Sequence, residues 1–125
     1  MNMTSISKKF AGVKNEHRTA FLPFVVAGDP DFTTSLAVLK RLAEHADLLE
    51  IGFPYSDPLA DGAVIQAADG RALASGMNTD KVFDLISQIR TFSNIPITVL
   101  VYANLVYQKG IDAFYRKAKK AGIDG

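Results

Sequence analysis

Three carboxylates that could take part in acid–base chemistry lie close together in the middle of the sequence. Glu50 lies near the end of the apolar run Leu48-Leu49-Glu50-Ile51-Gly52, and Asp57 and Asp61 stand in the next segment, SDPLADG. An unpaired buried charge costs several kcal/mol, roughly, unless it is hydrogen-bonded or neutralised. A carboxylate on a strand and another on a loop can take different roles in proton transfer. We therefore consider Glu50 and Asp61 candidate catalytic residues.

Structural roles could also account for each of these acids. Glu50 could pair with a lysine or with backbone amides at the end of its strand. Asp61 precedes a glycine, a turn context in which aspartate commonly bonds its own backbone. Asp57 precedes Pro58, and Asp29 precedes Pro30, which is ordinary turn chemistry.

Other kinds of site find little support in the sequence. The chain has no cysteine, which excludes disulfides, thiolate zinc sites and a cysteine nucleophile. His17 and His45 lack the spacing of metal ligands, so no metal site is predicted. The glycines match neither the dinucleotide fingerprint nor the nucleoside-triphosphate loop.

Apolar runs alternate with amphipathic segments, and this alternation indicates the elements that position the acids. Runs at 20–27, 48–51 and 96–102 suit strands that are buried on both faces. The pattern predicts an α/β fold with a parallel sheet, and either an open doubly wound sheet or a (β/α)8 barrel fits it. In both architectures ligands bind outside the carboxyl ends of the strands, where the unusual polar residues gather.

Helices are predicted between and after these strands. We expect one helix capped by Thr33 or Thr34, and a second that is closed by Gly76. A third should start at Asn78 or Thr79, and a fourth should span 112–121. The predicted inward-facing residues are Leu36, Leu39, Leu42, Ala43, Ile65, Ala68, Ala72, Leu73, Val82, Phe83, Ile86, Ile89, Phe114, Tyr115 and Ala118. Residues 122–125 read as the entry to a fourth strand.

The bulk composition narrows the classes of partner. The 125 residues suit one domain, and fourteen basic against thirteen acidic side chains leave a formal net charge of +1. No basic stripe suggests nucleic acid, and no run of apolar residues is long enough to predict a membrane helix. We expect a cytoplasmic protein.

One long segment carries a specific resemblance. The sequence LLEIGFPYSDPLADGAVIQAADGRALASG at 48–76 closely resembles the signature of the tryptophan synthase alpha chain family. The segments FLPFVVAGDP, NIPITVLVYANLVYQKGIDAFY and AGIDG resemble its flanking segments in the right order. The resemblance covers nearly the whole chain from about Phe21 onward.

The resemblance implies a (β/α)8 TIM barrel that cleaves indole-3-glycerol phosphate to indole and glyceraldehyde 3-phosphate by a retro-aldol step. It also implies that the alpha chain needs no metal or organic cofactor of its own. The family's catalytic glutamate and aspartate fall on Glu50 and Asp61. By the same resemblance Phe24, Leu100 and Tyr102 line the indole pocket.

A partner is implied as well. The family's beta chain contains pyridoxal phosphate and receives indole in a complex of two alpha and two beta chains. The positions that face it match Pro54, Ser56, Asp57, Pro58 and Asn104.

Length limits what this chain is expected to do alone. A family member has eight βα units, whereas the sequence predicts three units and the start of a fourth, so residues 1–125 are expected to be the N-terminal part of one TIM-barrel domain. A non-catalytic half-barrel that only self-associates or binds a partner is the alternative. Another phosphate-handling barrel enzyme is disfavoured because the match at 48–76 is long.

Overall fold

The computed structural model describes residues 3–125, which form three parallel strands and six helices, with one or two helices between successive strands. The strands are β1 (Phe24–Val26), β2 (Leu49–Gly52) and β3 (Ile97–Leu100). The helices are α1 (Ser5–Asn15), α2 (Phe32–Ala43), α3 (Ala63–Ala74), α4 (Thr79–Ile89), α5 (Ala103–Lys109) and α6 (Ile111–Ala121). The predicted α/β order is confirmed. Strands β1 and β3 are shorter than their apolar runs, whereas β2 has the length of its run and begins one residue later.

The sheet has the strand order β1-β2-β3, and both neighbouring pairs are parallel. Leu49, Ile51 and Ile97 share one face of this sheet and have no solvent exposure. Helix α4 contributes Val82 and Ile86, which are equally buried. The core therefore lies between the sheet and its helices, as the continuous apolar runs predicted.

The opposite face of the sheet carries Glu50. Its register partners are Phe24 on β1 and Thr98 on β3, so the three side chains stand in a row on the same face. Two residues further along the strands, and on the same face, Gly52 is in register with Leu100. A Cβ atom on Gly52 would lie 2.7 Å from Phe24 Cζ, so the missing side chain makes room for the aromatic ring.

The helix boundaries confirm some predictions and correct others. Asn78 caps α4, and Gly76 ends the segment after α3 with a φ of 91°, both as predicted. Asp31 caps α2 instead of Thr33 or Thr34, because its carboxylate accepts from the Thr34 backbone N–H at 2.9 Å.

The predicted inner face of the last helix is wrong at one residue, and two helices were not predicted. Tyr115 is 67% exposed, because it follows the buried Phe114 and so lies about 100° further around the helix. Helices α1 and α5 were not predicted because they have little or no buried face: α1 buries only Val13, and α5 buries no residue.

Residues 122–125 begin a fourth strand position, as predicted. The Asp124 backbone N–H donates to the Ile97 carbonyl oxygen at 2.8 Å, and the Gly125 carbonyl oxygen accepts from the Val99 backbone N–H at 2.9 Å. Both bonds continue the parallel pattern on the edge of β3. Helix α1 reaches the same place, where the Ser5 hydroxyl donates to the Asp124 carboxylate.

No helix within residues 3–125 combines the length and apolar character that a membrane span requires.

Candidate functional site

Glu50 is held on the strand face that lies away from the helices. It is the second residue of β2 and is half-buried between Phe24 and Thr98. Among the ion pairs formed within residues 3–125, none includes Glu50. The lysine pairing considered for this glutamate is therefore not observed, and its carboxylate faces the side where a barrel interior would lie.

Asp61 is positioned by the loop after β2 and by Tyr102, the second residue after β3. Its Oδ2 atom accepts a hydrogen bond from the Tyr102 hydroxyl at 3.1 Å. The turn around it is closed by other groups, since the Asp61 backbone N–H donates to the Pro58 carbonyl at 3.1 Å and Gln66 donates to the Asp61 carbonyl at 2.8 Å. The Asp61 carboxylate is thus bound by a side chain instead of by its own turn.

Tyr102 connects two loops through its hydroxyl. The hydroxyl oxygen accepts from the Ala60 backbone N–H at 3.0 Å while it donates to Asp61. Partial burial and the negative charges of Asp61 and Asp69 raise the pKa of Tyr102, although the Ala60 hydrogen bond opposes this rise. The phenol therefore stays protonated at neutral pH and remains a donor to Asp61.

The apolar residues predicted to line a substrate pocket lie on the same face as Glu50. Phe24 is half-buried beside it, and Leu100 is 52% exposed at the end of β3. Tyr102 follows two residues later, and its ring packs against Tyr55 with a centroid distance of 4.8 Å. The fold therefore brings these three predicted binding residues to the rim that holds Glu50 and Asp61.

Two further aspartates of this rim, Asp29 and Asp57, differ in their contacts. Asp29 forms a two-point ion pair with Arg71 of α3, with distances of 2.7 and 2.9 Å. Asp57 is exposed, and its carbonyl accepts from the Leu59 backbone N–H at 2.9 Å. The Asp57 bond closes a turn, as the turn interpretation expects, whereas the Asp29 carboxylate is held by a residue of α3 and not by its own turn.

The residues predicted to face a partner chain differ in exposure. Ser56, Asp57 and Asn104 are exposed, and Pro58 is half-buried. Pro54 is buried, so it contributes to the packing of the loop and not to an accessible surface.

Asp69 is a polar residue of this region that the sequence reasoning missed. It lies on α3 and is only 3% exposed, and its Oδ2 has no hydrogen-bond partner among residues 3–125. Burial raises its pKa to about 6, the negative charges of the Asp61 and Asp29 carboxylates add to the rise, and the polar Tyr55 backbone opposes it. The available signal was its spacing, since Asp69 follows Ile65 by four residues on the inner side of the helix.

Other surfaces of the described chain show no comparable chemistry. No cluster of three potential His, Cys, Asp or Glu ligands for a metal occurs in residues 3–125. An open cleft of about 570 Å³ lies between α1 and the amino ends of the strands, lined in part by Lys8, Lys9 and Arg18. It is at the end of the sheet opposite to Glu50 and Asp61, so we do not assign it to the candidate site.

Comparison with known sequences points to one family. The family profile described as tryptophan synthase alpha chain matches residues 10–125. The tryptophan synthase alpha chain of Methanothermobacter thermautotrophicus is 57% identical over 107 residues, covering 85% of this chain and 40% of that protein. The alpha chain of Shewanella amazonensis is 53% identical over 124 residues, covering 98% of this chain and 47% of that protein. The chain thus spans just under half the length of these curated relatives.

Solved structures agree with the sequence comparison. Tryptophan synthase subunit alpha from Legionella pneumophila superimposes with a TM-score of 0.94 at 36% identity, over 99% of this chain and 48% of that chain. A chain in the crystal structure of the tryptophan synthase complex from Pyrococcus furiosus gives 0.82 at 39% identity, over 85% of this chain and 44% of that one. These neighbours are TIM barrels, so the three described βα units correspond to about half of such a barrel.

Proposed function

Because the chain belongs to the tryptophan synthase alpha chain family, we propose that it provides the catalytic half of a carbon–carbon lyase in tryptophan biosynthesis. The substrate of this reaction is indole-3-glycerol phosphate, and the products are indole and glyceraldehyde 3-phosphate. The observation that supports the proposal most directly is the pairing of two different carboxylates at one rim. Glu50 lies outside every ion pair of residues 3–125, and Asp61 is bound by Tyr102.

The proposed reaction moves one proton onto the substrate and removes another. Glu50 gives a proton to C3 of the indole ring and takes the proton of the side-chain hydroxyl group. As that hydroxyl becomes the aldehyde, the bond between C3 and the glycerol carbon breaks and its electron pair returns to the ring.

Asp61 has the complementary role of stabilising charge. Protonation at C3 makes the ring nitrogen positive, and the Asp61 carboxylate accepts the indole N–H where this charge develops. The Tyr102 hydroxyl fixes the direction of the Asp61 carboxylate before substrate binds. Phe24 and Leu100 offer apolar surface for the flat ring on the face that carries Glu50.

The proposal also covers the partner and the cellular setting. We propose a cytoplasmic enzyme with no metal or organic cofactor of its own, which acts with a beta chain that contains pyridoxal phosphate. The exposed residues Ser56, Asp57 and Asn104 would belong to the contact surface. The structure of the tryptophan synthase complex from Pyrococcus furiosus, which contains a similar chain, supports this assembly.

A hybrid chain allows the activity to be tested at the length of the relatives. The hybrid consists of residues 1–125 followed by the part of the Methanothermobacter thermautotrophicus alpha chain that lies beyond its matched segment. We expect the folded hybrid to release indole from indole-3-glycerol phosphate. A folded but inactive hybrid, beside an active Methanothermobacter parent, would contradict the proposal and favour the non-catalytic half-barrel.

Substitutions in the hybrid then test the two roles. Glu50→Gln should lower kcat by about 100-fold or more, because the amide keeps the shape of the side chain and cannot transfer a proton. Asp61→Asn should lower kcat by about 100-fold through loss of charge stabilisation. Glu44→Gln is the matched control, since Glu44 is an exposed residue in a surface ion pair with Arg41. Indole release near the unmodified rate in Glu50→Gln would refute the assignment of Glu50.

A further inference from the structure

The loop that carries Asp61, which consists of residues 57–62 and is called the Asp61 loop below, buries little of its own surface. Leu59 is 82% exposed, Ala60 is exposed, and Asp61 itself is half-buried. Gly62 caps helix α3 without a side-chain hydrogen bond. A segment with few buried contacts depends on its hydrogen bonds for a fixed position. The side chains that bond to this loop therefore determine where Asp61 lies.

Among residues 3–125, two side chains hydrogen-bond to the backbone of the Asp61 loop. The Tyr102 hydroxyl accepts from the Ala60 backbone N–H at 3.0 Å and donates to Asp61 Oδ2 at 3.1 Å. The Gln66 carboxamide nitrogen donates to the Asp61 carbonyl oxygen at 2.8 Å and to the Pro58 carbonyl oxygen at 3.4 Å. Tyr102 thus holds the carboxylate of Asp61, and Gln66 holds its backbone.

The chemistry of a carboxamide suits this position. Carbonyl oxygens only accept hydrogen bonds, and the amide nitrogen of glutamine carries two donor hydrogens, so one Gln66 side chain serves two carbonyls. The Pro58 carbonyl also accepts from the Asp61 backbone N–H at 3.1 Å, which closes a ring of contacts across the turn. Gln66 is the fourth residue of α3, and its own N–H donates to the Gly62 carbonyl at 3.0 Å. The carboxamide therefore extends from a regular helix.

We propose that Gln66 is a positioning residue for the cleavage reaction: its carboxamide fixes the backbone of the Asp61 loop, so that the Tyr102 hydroxyl aligns the Asp61 carboxylate. This inference rests on the proposed function. Gln66 touches no reacting atom, and its contribution is the position of the group that does. Because Gln66 is exposed, water can replace its hydrogen bonds at little cost in global stability. Water does not hold the loop in one place, and a small displacement of a catalytic group slows the chemical step.

The kinetic test compares Gln66→Ala with the unmodified hybrid. Gln66→Ala should lower kcat at least about tenfold and change KM by less than about twofold, because Asp61 is misplaced for the charge that develops during the reaction. Gln88→Ala is the matched control, since Gln88 is an exposed glutamine of α4 whose side chain makes no hydrogen bond within residues 3–125. A kcat equal to that of Gln88→Ala would overturn the proposal, and so would a loss confined to KM.

A second variant distinguishes the donor from the bulk of the side chain. Gln66→Glu keeps the size of the residue, but at neutral pH its carboxylate has only acceptors and cannot bind the two carbonyls. It should therefore lower kcat as much as Gln66→Ala does. Circular dichroism and urea unfolding establish that each variant is folded. A Gln66→Glu variant with the unmodified kcat would overturn the proposal, because the hydrogen bonds would then be dispensable.

A readout independent of activity separates this inference from the proposed function. Indole release by the unmodified hybrid tests the function, whereas hydrogen exchange followed by NMR reports how firmly the Asp61 loop is held. The backbone amides of Ala60 and Asp61 should exchange about tenfold faster in Gln66→Ala, while the amides of β2 and the Gln88→Ala control stay unchanged. Unchanged exchange at Ala60 and Asp61 would overturn the positioning role whether or not the hybrid releases indole.

Discussion

Asp69→Asn should make the protein more stable at neutral pH, and the size of the gain should depend on pH. The folded-state pKa of Asp69 is raised from 3.8 to about 6, mainly because the carboxyl is buried. Two pKa units correspond to about 3 kcal/mol of unfavourable free energy for ionising the carboxyl in the folded state. The amide of asparagine is neutral at every pH and does not carry this penalty.

The sign follows from proton binding. The folded state holds its Asp69 proton at a pH where the unfolded state has already lost it, so ionisation lowers stability as pH rises. The favourable contribution of the protonated group is complete below about pH 4 and is lost as the pH rises through about 6. At pH 7.5 the full penalty of about 3 kcal/mol applies, and at pH 4.5 about 1 kcal/mol remains.

Urea unfolding of the hybrid and of its Asp69→Asn variant, followed by circular dichroism at pH 7.5 and 4.5, measures this effect. The difference in unfolding free energy between the two proteins should change by about 2 kcal/mol between these pH values. Any constant cost of burying the asparagine amide cancels in this comparison. Asp84→Asn, at an exposed position of α4, controls for the loss of one carboxylate. A difference that stays the same at both pH values would refute the reasoning.

Three further outcomes are expected. Tyr102→Phe in the hybrid should lower kcat about tenfold, because a hydrogen bond to a charged group contributes about 1.5 to 3 kcal/mol; an indole-release assay in which only KM changes would contradict this. Gly52→Ala should destabilise the hybrid by about 1 to 3 kcal/mol in urea unfolding through its clash with Phe24, and a gain in stability would show that the ring moves freely. Residues 1–125 alone should self-associate and release no indole, since the sheet face carrying Leu100 is uncovered; a compact, active monomer in light scattering and the indole assay would disprove this.

The elements that could be predicted from sequence are those whose buried residues form a continuous apolar run or recur at helical spacing. The apolar runs at 20–27, 48–51 and 96–102 are typical of buried strands, and the spacing of apolar residues in α4 matches its buried face. Helix α1 could not be found in this way, because Val13 is its only buried residue. The choice of Asp31 over Thr33 as a cap depends on where the chain leaves the turn after β1, which short-range patterns do not determine.

The residues of the candidate site that lie at or just after the carboxyl ends of strands could be predicted from sequence. Glu50 and Asp61 could be placed on one rim because parallel strands present their carboxyl ends on the same side. The bond from Tyr102 to Asp61 joins residues that are far apart in sequence, and the burial of Asp69 depends on how α3 packs. Both depend on tertiary structure. The apolar residues of α3 predicted its inner face, and this pattern gave no sign that Asp69 would be buried there too.

The order of the sheet bears on how the chain can fold. Strand β2 pairs with β1 and β3 pairs with β2, so each of these strands can be added to the edge of the strand that precedes it in the chain. Helix α1 is the exception, since its Ser5 contacts Asp124, at the other end of the chain. We expect α1 to dock only after residues 122–125 have reached the edge of β3, and pulse-labelling hydrogen exchange during refolding should show protected amides in β2 before α1. Protection of α1 at the same time as β2 would mean that the helix packs without that contact.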